Sequence, residues 1–298
     1  MVQLLKKGLA ALVAVFAGVA AFAQVTTSSL AGRINDENGE PLAGAAVVAV
    51  HVPSGTQYAA VANGNGQYTI NGMRVGGPYK VTITFLGYQT LEYTDVVLQL
   101  AETYNLNATV NPDNEQLNSA VVMASPSSKF AVEKTGAATN INNSQIANLP
   151  TVSRAISDVT RLSPYGGNGM SFVGSDGRNA NFTVDGANFN NNFGLSSSLP
   201  GGGSPISIDA IEEMQVVIAP YDVRQTNFIG GGVNAITKSG TNTFRGTAYV
   251  YHNNEFMHGD VVYGRDLISG DRAKDRSTTY GLTLGGPIIK NKLFFFVN

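Results

Sequence analysis

Apolar and polar positions alternate with a period of two over several short runs of this chain. Tyr79, Val81, Ile83 and Phe85 interleave with Lys80, Thr82 and Thr84, and Tyr104, Leu106, Ala108 and Val110 interleave with Asn105, Asn107 and Thr109. Successive side chains of a strand point to opposite faces, so each run predicts a strand with one face on a core. Asn38-Gly39, Asn63-Gly64, Asn65-Gly66, Asn71-Gly72 and Gly76-Gly77-Pro78 punctuate the runs. Asn-Gly supplies the positive φ angles of a tight turn. Residues 24–110 therefore predict a small β-sandwich.

A polar, turn-rich stretch follows at Asn111–Gln116, and residues 111–130 read as a linker. Within it lies a β-prone run, Ala120-Val121-Val122-Met123-Ala124, before Ser125-Pro126-Ser127-Ser128. The run has no evident sheet of its own, so it is a candidate for pairing with the open sheet edge of another protein.

The pattern changes over residues 131–242. Val152, Ile156, Val159 and Leu162 share one helical face, with Thr151 as candidate N-cap after Pro150. Phe182 and Val184 alternate with Thr183 before Asp185-Gly186, a hairpin signal, and Gln215–Ala219 reads as a short buried strand. Gly201-Gly202-Gly203 and Gly230-Gly231-Gly232 permit sharp turns and close backbone approach. Together these predict a small mixed α/β unit.

Period two returns near the end. Phe244, Gly246, Ala248 and Val250 alternate with Arg245, Thr247, Tyr249 and Tyr251, and Thr243–His252 has the length of a tilted membrane-spanning strand. A polar loop over residues 253–276 follows, then a strand over Ser277–Gly285, a short turn over Gly286–Lys292 and a third strand from Leu293. Long loop followed by short turn is the rhythm of an outer-membrane barrel. Three strands cannot close one, and open edges in lipid leave backbone groups unsatisfied. A truncated barrel is therefore the expectation for residues 243–298.

The amino terminus adds an address. Lys6 and Lys7, an apolar stretch over Leu9–Ala20 and Ala21-Phe22-Ala23 form a signal peptide over residues 1–23, with the mature chain expected to begin at Gln24. Charged residues make up only 13% of the chain and its net charge is −2, which supplies no basic footprint for nucleic acid. There is no cysteine, which removes disulfides, thiolate metal sites and thiol nucleophiles.

Candidate chemistry is sparse. Asp36–Glu40 lacks the spaced ligands and distal Glu of a calcium loop. Gly232–Ser239 has Thr237 where a phosphate-binding loop needs Gly before its Lys. His252, Glu255, His258 and Asp260 match no zinc spacing, and His51 sits inside a strand-like run. No triad or carboxylate pair presents itself, so neither catalytic residues, metal nor cofactor are expected. The run Asn188–Asn192 offers donors and acceptors, with Asn188, Asn190, Asn191 and Asn192 as ligand-facing candidates against an ordinary polar loop.

Three resemblances tie these segments together. Gly32–Ala45 (GRINDENGEPLAGA) and Asn65–Tyr88 resemble the carboxypeptidase regulatory-like domain, a transthyretin-like sandwich. The segment Ser119, Ala120, Val121, Val122, Met123 and Ala124 resembles a TonB box. Leu149-Pro150, Gly177–Gly194 and Ile208–Asn242 resemble the plug of TonB-dependent receptors, in their Oar-like branch. The matching plug positions include Leu149, Pro150, Asp185, Gly186, Gly231, Gly232 and Lys238. Arg178 stands in a Gly-Arg-Asn where many plugs carry Ile-Arg-Gly, which weakens any inference about substrate. The resemblance implies a mainly β protein of the cell outer membrane, with sandwich and plug on the periplasmic and lumen side. It also implies the TonB energy-transducing complex, outer-membrane lipid, an unknown extracellular ligand and a surface lipoprotein as partners. The competing expectations are a secreted β-module adhesin and an exported peptidase with a regulatory sandwich. The adhesin would need no plug motifs, and the peptidase would need a catalytic domain.

Overall fold

A computed structural model describes residues 25–112, 121–124, 137–149, 151, 154–190, 199, 205–218, 225, 229–257, 259, 261–266 and 274–298. The expected signal peptide lies outside them. The chain divides into two compact units after Lys238.

The first unit opens with a sandwich. One sheet is built on β1 (Ser28–Asp36), which pairs antiparallel with β4 (Gln67–Met73) and parallel with β7 (Thr103–Asn105) and β8 (Ala108–Val110). The facing sheet has the order β3 (Thr56–Val61), β2 (Ala46–His51), β5 (Gly76–Thr84), β6 (Leu91–Leu98), β9 (Val121–Ala124). Their inner faces share one core that includes Leu30, Ile34, Val47, Tyr79, Val81, Ile83, Leu98 and Leu106. The alternation expected for β5 holds: Tyr79, Val81 and Ile83 are buried, while Lys80 and Thr84 are exposed.

Two expected turns are not turns. Asn71-Gly72 lies within β4, where three residue steps (Ile70 to Met73) face two on β1 (Leu30 to Ser28). This is a β-bulge, and Gly72 takes its positive φ of 70° there. Gly76-Gly77-Pro78 likewise belongs to β5, at a second register shift against β6. A positive-φ glycine suits a bulge as well as a hairpin, so the dipeptide alone cannot tell the two apart.

The expectation that the β-prone run 120–124 has no sheet of its own is also corrected. Residues 121–124 form β9, paired parallel with β6 at the edge of the sandwich. Parallel neighbours need a crossover, and β7 and β8 supply it by passing through the opposite sheet.

The rest of the first unit is mixed α/β. Its sheet runs β10 (Ala138–Asn142), β13 (Ile211–Val217), β14 (Gly232–Thr237), β11 (Asn181–Val184), β12 (Ala187–Asn188). Only β11 and β14 are parallel. Two short helices, α1 (Asn143–Asn148) and α2 (Ile156–Thr160), contribute Ile146, Ile156 and Val159 to a core with Phe172, Phe182 and Met214.

Here the sequence reading needs revision. Helix α2 begins after Ala155 rather than after Thr151. Asp158 accepts the Ala155 N–H, and Leu162 is exposed instead of sharing the buried face. The expected β11 alternation is absent because all four residues are buried; Thr183 is satisfied by donating to Asn234 Oδ1 at 3.0 Å. Helix α1 was legible but missed: Asn142 and Gln145 form a capping box. Strand β13 starts at Ile211, earlier than the expected Gln215.

The second unit holds β15 (Arg245–Asn254), a small hairpin of β16 (Val261–Val262) and β17 (Arg265–Asp266), β18 (Arg276–Ile289) and β19 (Leu293–Val297). Strands β15, β18 and β19 form one antiparallel sheet. The turn expected over Gly286–Lys292 shrinks, because β18 continues to Ile289. Pro287 has no N–H, and it is accommodated at a register shift between Pro287 and Ile289.

Candidate functional site

The candidate docking segment is positioned by chain delivery. Gln89 N–H donates to Asn111 C=O at 2.9 Å, and Tyr88 bridges Pro112. The chain is thus brought back to the start of β6 shortly before residue 121. Pairing then runs Leu91–Val121, Glu92–Val122, Tyr93–Met123 and Thr94–Ala124. It stops where Asp95 adopts φ 60° beside a register shift in β6. Ser119 and Ala120 lie outside the described residues.

Strand β6 also leads into the α/β sheet. Beyond Leu98 the chain carries Leu100, which is fully buried. Leu100 N–H donates to Glu213 Oε1 at 2.9 Å, and its carbonyl accepts from Gln215 Nε2 at 2.9 Å and from Asn140 Nδ2 at 3.2 Å. Asn140 also donates to Glu102 Oε1 at 3.1 Å, and Asn234 Nδ2 donates to Val25 C=O at 2.7 Å. Glu213 and Gln215 are 3% and 2% exposed. Buried polar groups of this kind are costly unless bonded, and here they join sandwich and α/β sheet. Nothing in the sequence reading singled them out. The available signal was polar residues inside a strand that otherwise reads as buried.

The other predicted positions fall into separate places. Asp185 (φ 49°) and Gly186 (φ 82°) form the two-residue turn between β11 and β12. Asp185 Oδ1 accepts the Thr237 N–H at 2.9 Å and Oδ2 accepts the Thr237 hydroxyl at 2.6 Å, which ties the hairpin to β14. Lys238 N–H donates to Ala210 C=O at 2.7 Å. Gly231 passes against the buried Phe172 ring, and Gly232 opens β14. Arg178 pairs with Asp176 at 2.6 Å on the surface, and its hydrogen bonds hold the Asp176 carboxyl down to about 2. Leu149 follows α1 as its C-cap. Pro150, Asn191 and Asn192 lie outside the described residues. Asn188 Oδ1 accepts from the Asn190 N–H at 2.8 Å, and Asn190 Oδ1 accepts from the Phe182 N–H. Both described asparagines therefore spend a carbonyl oxygen on closing their own loop.

His51 is a packing residue. Its Nδ1 lies 2.6 Å from Ser54 Oγ and its ring packs tilted against Tyr79, with centroids 4.9 Å apart. Burial, with the nearby Arg74 charge, lowers its pKa to about 4. His252 Nδ1 lies 2.8 Å from Thr278 Oγ1; His258 and Asp260 lie outside the described residues. Among the described residues no group of three His, Asp or Glu side chains could hold a metal ion.

In the second unit the register sorts the side chains. Gly246–Leu284, Ala248–Leu282 and Val250–Tyr280 pair on one face, and Thr247–Thr283, Tyr249–Gly281 and Tyr251–Thr279 on the other. On the first face Val250, Tyr280 and Leu282 stay largely exposed although apolar. On the second, Thr247 and Thr283 hydroxyls lie 2.6 Å apart and Tyr249 lies across Gly281. Val250, Leu282 and Leu284 on one face and Thr247, Thr279 and Thr283 on the other follow the alternation of strands between lipid and lumen.

Residues 29–111 match the carboxypeptidase regulatory-like domain, and residues 236–298 match an outer membrane beta barrel domain. The chain is a homologue of TonB-dependent outer-membrane transporters, and its place is the outer membrane. The relative that carries this is the TonB-dependent transporter Oar of Myxococcus xanthus, 26% identical over 295 residues, covering 94% of this chain. The chain spans 27% of that transporter's length. Among solved structures, the siderophore receptor PirA of Acinetobacter baumannii covers 52% of this chain and 22% of its own, at 22% identity and TM-score 0.37. PirA of Pseudomonas aeruginosa covers 53% and 26%, at 20% identity and TM-score 0.37.

Proposed function

We propose that this chain is the N-terminal region of a TonB-dependent receptor that takes up an extracellular substrate with energy supplied through TonB. On this reading residues 24–110 are a periplasmic sandwich, 111–130 carry the TonB-docking segment, 131–242 are the plug that gates the pore, and 243–298 open the transmembrane barrel. The observation that carries the reading is the similarity to a TonB-dependent transporter, which extends over 94% of the chain. The apolar face of β15 and β18 supports the barrel assignment. Transport requires gating and pulling rather than covalent chemistry, so no catalytic group is assigned.

On this reading specificity would come from exterior loops and from the plug apex. The internal bonds of Asn188 and Asn190 favour a loop-closing role for those two.

Removal of Ser119–Ala124 tests the docking assignment. The purified receptor should capture the periplasmic domain of TonB, and the deleted receptor should not, while surface binding of substrate persists. Equal capture by both proteins overturns it.

A further inference from the structure

We propose that the β6 edge of the sandwich is a strand-acceptor surface whose resident occupant is the chain's own docking segment, so that capture by TonB proceeds by strand exchange. The proposal rests on the docking reading above. Without β9, strand β6 would end its sheet with a row of unpaired N–H and C=O groups, the kind of edge that recruits any extended strand. Val121–Ala124 satisfies that edge in four parallel register pairs.

The acceptor has defined ends. The bond from Gln89 to Asn111 and the Tyr88–Pro112 bridge deliver the chain at one end. Asp95, with φ 60° beside a register shift, closes it at the other. A strand tethered this close to its acceptor edge pairs at high effective concentration. Yet four residues are fewer than the five to six of an ordinary strand, which keeps the pairing releasable. A partner that binds only the released segment sees its affinity reduced by the fraction released.

The acceptor is also wired to the α/β sheet. The strand that holds β9 is the strand that continues to Leu100, whose backbone is gripped by Glu213, Gln215 and Asn140. A displacement of β13 therefore acts on the strand that holds the docking segment.

Residues 1–298 contain no cysteine, so two thiols introduced among them meet no competing thiol within this region. Thr94 and Ala124 are register partners, and paired strands lie about 4.8 Å apart, within reach of a disulfide. The full receptor carrying Thr94→Cys and Ala124→Cys is oxidised, then assayed for capture of the TonB periplasmic domain, with the same protein after reduction as reference. The disulfide is expected to form, and oxidation is expected to weaken capture roughly ten-fold or more. If no disulfide forms, the resting pairing is wrong. If it forms and capture is unchanged, TonB adds to the free side of β9 and exchange is wrong. The Ser119–Ala124 deletion separates the two ideas: capture that survives deletion sinks the docking reading itself.

Discussion

The Glu213 carboxylate accepts the backbone N–H of Leu100 at 2.9 Å, across 113 residues of sequence. Gln215, two positions along the same strand, donates to the carbonyl of the same residue. Both backbone polar groups of Leu100, its N–H and its C=O, are thus held by β13. Truncation to Glu213→Ala would leave a buried donor unmatched and should destabilise the chain by about 2–3 kcal/mol. Glu213→Gln keeps an acceptor oxygen and should cost less. Urea unfolding, with hydrogen exchange at Gln99–Glu102 as the local readout, checks this. Equal stability of the Ala and Gln variants would show that the bond contributes little.

Gly231 is fixed by space rather than by φ. A Cβ there would lie 2.6 Å from the ring of Phe172, which is itself fully buried. Gly231→Ala should therefore lower stability by about 1–3 kcal/mol through overpacking. Adding Phe172→Leu should return part of that loss, and a double-mutant cycle measures the coupling. Strictly additive losses would refute the contact.

His51 predicts an acid-sensitive sandwich. Its folded pKa of about 4 lies below the ordinary 6.5, chiefly through burial. The unfolded chain therefore takes up the proton first, and stability falls as pH drops through the window from 6.5 to about 4. The slope approaches about 1.4 kcal/mol per pH unit, so the loss between pH 7 and 5 should be about 2 kcal/mol. Hydrogen exchange of the β2 amides, corrected for intrinsic rates, should show this in the parent chain and not in His51→Gln. A pH response retained by the variant would assign it to another group.

The two faces of β15 and β18 should respond differently to charge. Leu282 lies on the apolar face and Thr279 on the polar one. In a bilayer, Leu282→Arg should cost about 2–4 kcal/mol if it sits near the midplane, whereas a lumen-facing Thr279→Arg should be tolerated. The yield of folded, heat-modifiable receptor in outer membranes reads the difference. Matching yields would mean that the apolar face does not meet lipid.

Local patterns settled much of this protein before any coordinates. Period-two alternation marked β5 and β15, and Asp185-Gly186 marked its hairpin, because each depends only on neighbouring residues. The β19 start at Leu293 was legible for the same reason. Where a pattern has two physical solutions, local reading chose wrongly: Asn71-Gly72 and Gly76-Gly77-Pro78 lie at bulges, and β11 is buried at all four positions. The grip of Glu213 and Gln215 on Leu100, and the resting place of Val121–Ala124 on β6, belong wholly to tertiary structure. Each needs two segments brought together from distant parts of the chain. A polar residue in a buried strand, or a short apolar run in a linker, announces that a partner is required but does not say which backbone will supply it.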